Sequence, residues 1–165
     1  ALSDELLSST KDRAENVMIV DLLRNDLGRV CTPGSIRVPQ LCQLESYPNV
    51  HHLVSVVQGQ LAAQHSPLSL LTAAFPGGSI TGAPKIRAMQ IIDELEPCQR
   101  SVYCGSLGYI DVRGSMDTSI AIRTMVADDG ALHVWGGGGL VADSKADEEY
   151  TETLDKIRHL IDALE

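Results

Sequence analysis

Apolar residues recur near helical spacing from residue 3 to residue 26, at Leu6, Leu7, Ala14, Val17, Met18 and Leu22. That spacing predicts a long first helix, with Gly28 as its stop. Arg29-Val30-Cys31 then reads as β, and Thr32-Pro33-Gly34 as a turn. Ser35 to Leu44 continues the β pattern through Ile36 and Val38, and Pro39 inside it marks an edge or a bulge. A further strand is predicted from His51 to Gln60, and a short helix from Leu68 to Phe75 after Pro67. The next helix runs from Pro84 to about Glu96, closed by Pro97. Its apolar face is Ile86, Met89, Ile92 and Leu95, and its polar face Arg87, Gln90, Asp93 and Glu94.

Three strands follow, over 102–112, 116–127 and 131–135. Arg113-Gly114 and Asp128-Asp129-Gly130 between them are hairpin chemistry. A closing helix spans about Lys145 to Leu164. Strands in runs with long helices at both ends of the chain predict an α+β fold with mostly antiparallel pairing.

Composition narrows the possible functions. The 165 residues suffice for one domain with a core, and 44% hydrophobic with 21% charged residues is a globular balance. A net charge of −9 argues against a nucleic-acid partner, and 4% aromatics against a base-stacking surface. There is no apolar run of membrane length and no signal-peptide pattern at the start, so no membrane partner and a cytoplasmic location are expected. Cys31, Cys42, Cys98 and Cys104 form no C-x-x-C pair, which disfavours zinc and predicts buried free thiols.

Candidate chemistry falls at a few places. Pro76-Gly77-Gly78-Ser79-Ile80-Thr81-Gly82-Ala83-Pro84-Lys85 is a glycine-rich loop opening a helix, with Pro84 suited to the first helical position. A helix N-terminus attracts anions, and Lys85 in the first turn opposes the dipole unless an anion binds there. A tight loop capping the helix is the other reading. The nucleotide P-loop fails, because Ala83-Pro84 separate Gly82 from Lys85 and Ile86 follows the lysine. Asp12 with Glu15, and Glu149 with Glu152, are carboxylate pairs at i,i+3 on the two terminal helices. Each pair alone reads as solvated surface. If the helices face each other, the four oxygen donors suit Mg²⁺, and the lack of E-x-x-H disfavours a di-iron centre.

Gly136 to Gly139, between a strand and a helix, offers either an anion-binding nest or a flexible turn. Arg123, amid apolar residues on an expected central strand, needs a carboxylate partner, either from a ligand or from an internal Asp or Glu. His51 and His52 alternate to opposite faces of their strand, so at most one of them points at a given site. Tyr103 opens a strand and could place a phenol near a ligand. Together these features describe a receptor for a small dicarboxylate with a metal holding one carboxylate.

The chain resembles the chorismate-utilising enzymes, the family that includes anthranilate synthase component I, aminodeoxychorismate synthase component I and the isochorismate and salicylate synthases. The matching stretches are Lys11 to Asn16, Ile19 to Asp26, His51 to Ser55, Gly78 to Lys85, Asp117 to Arg123 and Glu149 to Thr153. Within the family, Pro76 to Lys85, Asp93 to Pro97 and Tyr103 to Ser106 are most similar to the aminodeoxychorismate synthase branch, whereas anthranilate synthases usually have a second glycine where Cys104 stands.

The resemblance implies a fold of layered, mostly antiparallel sheet with flanking helices, like anthranilate synthase component I. It implies Mg²⁺ on Glu15 and Glu152, with Asp12 and Glu149 holding metal-bound water. It implies chorismate carboxylates on Tyr103, Arg123, Gly137, Gly138 and Gly139, Lys85 among the substrate-binding residues, and His52 and Ser79 near the substrate ring.

The implied reaction is chorismate plus ammonia to 4-amino-4-deoxychorismate, for 4-aminobenzoate and folate. A glutamine amidotransferase subunit supplies the ammonia. The alternatives are anthranilate synthase component I, or a chorismate-binding module without catalysis. The family's upstream Pro-Ile-Lys-Gly-Thr motif, with its nucleophilic lysine, does not occur in this sequence, nor does the upstream acid–base glutamate. Residues 1–165 are therefore expected to be the C-terminal part of a chorismate-binding catalytic domain, inactive alone and with sheet edges and apolar surface exposed.

Overall fold

Ser9 sets where the first described long helix begins. Its hydroxyl accepts a hydrogen bond from the Asp12 N–H at 3.2 Å and caps α1 (Thr10–Gly28). The computed structural model describes residues 6–47, 50–142 and 144–164. Residues 6–8 are helical too, so the long helix expected over 3–26 is interrupted at Ser9, and its residues 3–5 lie outside the described residues. Nor does Gly28 stop α1: the helix includes it and ends on Arg29, beyond which Val30 and Cys31 both donate to Leu27 O, at 3.1 and 2.9 Å. These bonds keep 29–31 from forming the expected strand, and Cys31 makes only an isolated bridge to Leu61.

The chain divides into two units, residues 1–78 and 79–165. In the first, β1 (Arg37–Tyr47) and β2 (Val50–Gln58) form an antiparallel hairpin against which α1 packs. The pairing slips on both sides of Gln40, next to Pro39, which cannot donate to the ladder. Past that bulge Glu45 faces His52 and Ser46 faces His51. The core of this unit is small: Val20, Val30, Cys31 and Cys42 are buried. Helix α2 (Pro67–Ala74) starts on a reciprocal capping box, in which Ser66 and Ser69 each bond the other's backbone N–H at 3.2 Å.

Where the second unit begins, the glycine-rich loop contains a single helical turn, α3 (Gly78–Thr81), in place of the continuous loop expected. Gly82 follows at φ +110°, a conformation that favours glycine. Helix α4 (Lys85–Leu95) begins one residue later than expected, with Pro84 as its cap at ψ 134°. Its apolar stripe faces solvent: Ile86 is 76% and Leu95 73% exposed.

The strands are β3 (Ser106–Ile110), β4 (Met116–Ile120), β5 (Met125–Asp128) and β6 (Ala131–Val134), followed by α5 (Ala146–Asp162). Among the described residues β3 pairs only with β4, and β5 only with β6, both antiparallel. The strand expected over 116–127 is broken by Arg123 at φ 50°. Every residue of β3 is exposed, Leu107 and Tyr109 among them, so the expectation of bare sheet edges and apolar surface holds. Antiparallel two-stranded sheets accompanied by helices make the chain α+β, as expected. Among the described residues no helix is long and apolar enough to cross a membrane. All four cysteines are free, but Cys98 is exposed, contrary to the expectation that every thiol is buried.

Candidate functional site

In the first unit, one face of α1 carries the site. Asn16, Ile19, Val20 and Leu23 recur at i, i+3, i+4 and i+7, and with His52, Leu53, Val54 and Ser55 of β2 they line an open cavity of about 350 Å³. Asn16 ties the helix to the hairpin. Its Nδ2 donates to Leu53 O at 2.9 Å, and its Oδ1 accepts from the Ser55 hydroxyl and, at 3.4 Å, from the Cys42 thiol. Ser55 Oγ in turn accepts from the Cys42 N–H at 2.8 Å, where Cys42 sits at φ 50° beside the bulge.

This network sets the rotation of α1 against β2, and with it the placement of Asp12 and Glu15, both half-buried one turn or less from Asn16. His52 reaches the cavity with its ring edge-on to Tyr47, centroids 6.1 Å apart. The neighbouring His51 Nδ1 lies 2.8 Å from Ser46 Oγ, a partner that leaves it structural.

In the second unit the site forms around the glycine run. Tyr103 does not open a strand. It lies in a turn between Ser101 and Cys104, both at positive φ (53° and 65°), and its N–H donates to Arg100 O at 2.9 Å. This turn docks on the end of β4 through Cys104 N–H to Ala121 O, 2.9 Å. The Tyr103 ring stacks on Trp135 with 7° between planes and centroids 6.5 Å apart, which brings its hydroxyl over the Gly137 backbone. A Cβ on Gly137 would fall 2.5 Å from that hydroxyl.

On Gly138 a Cβ would fall 3.1 Å from Glu149 Oε2, and on Gly136 it would meet Thr153 Cγ2 at 3.0 Å. So the glycines are needed for close approach: the bare backbone from 136 to 138 seats a threonine, a phenol and a carboxylate in turn.

The two acids of α5 differ in surroundings. Glu149 is buried and accepts from the Ser144 hydroxyl at 2.5 Å. Glu152 is half-exposed and pairs with Lys156 at 2.7 Å, while the Lys156 ammonium also reaches Gly137 O at 3.5 Å. Burial pushes the Tyr103 phenol up and the Cys104 thiol up, so at neutral pH Tyr103 keeps its proton and can donate.

The structure therefore brings Tyr103, Gly137, Gly138, Glu149 and Glu152 around one loop. Gly139 is exposed at its edge. Ser79 lies exposed in α3, and Lys85 is half-buried as the first residue of α4. Arg123 is not on a strand with apolar neighbours. It is exposed, between β4 and β5, and no described residue forms an ion pair with it. Within either unit, no three His, Cys, Asp or Glu side chains converge among the described residues, so each unit presents a pair of acids.

Sequence reading missed the residues that hold these groups in place: Asn16, Ser55, Arg100, Ser144 and Lys156. The i,i+4 spacings Glu152–Lys156 and Glu96–Arg100 were visible signals. The Asn16–Ser55 bond, 39 residues apart, left none.

The chorismate binding enzyme family matches residues 1–162, and the chain belongs to that family. It is 57% identical over 161 residues to aminodeoxychorismate synthase component 1 of Escherichia coli (98% of this chain, 36% of that protein), and 56% identical over 163 residues to its Salmonella typhimurium counterpart (99% and 36%). To anthranilate synthase component 1 of Pseudomonas putida it is 52% identical over 164 residues (99% and 33%). The crystal structure of anthranilate synthase component I from Streptococcus pneumoniae superimposes with a TM-score of 0.90 at 45% identity, over 96% of this chain and 36% of that one. The chain thus spans about a third of the length of the relatives it matches.

Proposed function

We propose that this chain provides the chorismate-binding part of an aminodeoxychorismate synthase component 1, which converts chorismate and ammonia to 4-amino-4-deoxychorismate. The observation that carries the reading is the Tyr103 hydroxyl beside the Gly137 backbone, in a glycine run of the kind whose N–H groups can bind an anion. A protonated phenol and free backbone N–H groups are donors suited to a carboxylate. Arg123, exposed and without an ion-pair partner among the described residues, is available for a second carboxylate. The higher identity to aminodeoxychorismate synthases supports the choice of product. The 52% identity to an anthranilate synthase component 1 keeps that enzyme as the second reading. A glutamine amidotransferase subunit is the proposed ammonia source, and the cytoplasm the proposed location.

Mg²⁺ is the proposed metal. Each candidate pair, Asp12 with Glu15 and Glu149 with Glu152, consists of carboxylates, the hard oxygen donors that Mg²⁺ prefers. Glu149 is seated against Gly138 by the Ser144 hydroxyl, and Glu152 is held by an exchangeable lysine pair, so both are oriented before a cation arrives. When bound, the ion supplies charge stabilisation as a Lewis acid at the ring carboxylate.

The test is calorimetric titration of chorismate into this chain with and without Mg²⁺, on wild type and Glu152→Gln. Expected is Mg²⁺-dependent binding weakened at least about tenfold by the substitution, the scale of one lost charge-assisted contact. Binding that ignores both Mg²⁺ and Glu152 would remove the metal assignment. A product assay with the full-length enzyme separates the two readings, because anthranilate fluoresces and the aminodeoxy product needs a lyase to yield 4-aminobenzoate.

A further inference from the structure

We propose that Arg100 is a positioning residue that holds Tyr103 over the glycine run and ties it to the glycine-rich loop. This rests on the reading of Tyr103 as a chorismate contact. Three separate parts of the guanidinium are used. Nε and Nη2 donate to the Glu96 carboxylate at 2.9 and 2.6 Å, a two-pronged clamp at the end of α4. Nη1 donates to Ile80 O at 2.8 Å, inside the helical turn that carries Ser79. The planar group lies over the Tyr103 ring, 5.8 Å from its centroid, on a residue whose own backbone carbonyl accepts the Tyr103 N–H.

Tyr103 is thereby held by two groups, the guanidinium and the Trp135 indole. The surrounding chain cannot do this by itself: Pro97 has ended the helix, and the turn passes through two left-handed residues. Burial raises the Tyr103 phenol, and the guanidinium charge opposes that rise, so Arg100 also moderates the acidity of the hydroxyl it places. Lysine cannot replace it, having one nitrogen where the geometry uses three.

Trp135 is the single tryptophan of the chain, so its emission reports the stack directly. The experiment compares wild type, Arg100→Gln, Tyr103→Phe and the double variant, by Trp135 emission and acrylamide quenching without ligand and by chorismate titration. Expected is an altered Trp135 signal in Arg100→Gln. Adding Arg100→Gln should lower chorismate affinity about tenfold when Tyr103 is intact, and less than about twofold when Tyr103→Phe is already present. Equal affinity losses in both backgrounds, or an unchanged Trp135 signal in folded Arg100→Gln, overturn the proposal.

If Arg100→Gln does not fold, Glu96→Gln, which loosens the clamp at an exposed helix end, must move the same Trp135 signal, and no change there also overturns it. If chorismate binds none of the proteins, the functional reading fails, while the ligand-free Trp135 signal still decides whether Arg100 positions Tyr103.

Discussion

The two units hold their candidate residues in opposite ways. Around Asn16 the hold is long-range: one amide bonds Leu53, Ser55 and Cys42, residues brought near by strand register. Around Tyr103 and Glu149 the charged contacts are short-range in sequence: i,i+4 ion pairs at Glu96–Arg100 and Glu152–Lys156 and a serine five residues from Glu149, while the Trp135 stack and the glycine backbone supply the contacts that reach farther along the chain.

The difference teaches where specificity and stability reside. A polar network partly shielded from water is destabilising to break, because its members lose water as well as partners. Exposed ion pairs contribute little to stability, so the second unit's pairs orient side chains without anchoring the fold.

The sharpest way to break this contrast is Asn16→Ala. It removes the acceptor of two donors and the donor to Leu53 O, so stability should fall by about 3 kcal/mol, as for two or more unsatisfied polar groups. Urea denaturation measures this. A loss below about 0.5 kcal/mol, typical of an ordinary surface change, would make the two units alike.

The second effect is on binding. Gly137→Ala puts a Cβ 2.5 Å from a hydroxyl whose ring is pinned by Trp135 and Arg100, so the phenol must move. Chorismate affinity should drop about tenfold to a hundredfold, the value of a lost hydrogen bond to a charged group, with the melting temperature little changed. If Gly137→Ala binds chorismate as tightly as wild type, the run is a flexible turn.

The smallest effect is on acid stability. The Arg100 guanidinium holds the Glu96 carboxyl below its ordinary value of 4.5. A depressed carboxylate stabilises the folded state above the unfolded value, and that contribution is lost as the pH falls through the folded one. Wild type should therefore lose stability slightly faster than Glu96→Gln as pH drops below about 4.5, by under about 1 kcal/mol given the exposure of the pair. Parallel stability curves for the two proteins would show that the clamp orients Arg100 without any linkage to folding.

The sequence by itself determined the local elements whose signals are local. The helix expected over 68–75 followed from Pro67, and the structure puts it at 67–74. The α4 helix followed from its spacing and Pro97, and the hairpin turns from Arg113-Gly114 and Asp128-Asp129-Gly130. The i,i+3 carboxylates, the glycine run and the family motifs were equally legible, because each is a statement about neighbouring residues.

Tertiary structure decided the rest. Apolar alternation suggested a strand through Val102-Tyr103-Cys104, but two left-handed residues turn the chain there and send the phenol to Gly137. Arg123 looked buried in a strand and is instead exposed at a break in it. The i,i+3 rule placed Glu149 and Glu152 on one face, yet Gly138 and Ser144 bury the first while Lys156 holds the second near solvent. Asn16 reads in sequence as one more polar residue on a charged helix. Only strand register, which brings Ser55 and Leu53 beneath it, makes it the fixed point of its unit, since hydrogen bonds depend on distance in space and periodicity records only distance along the chain.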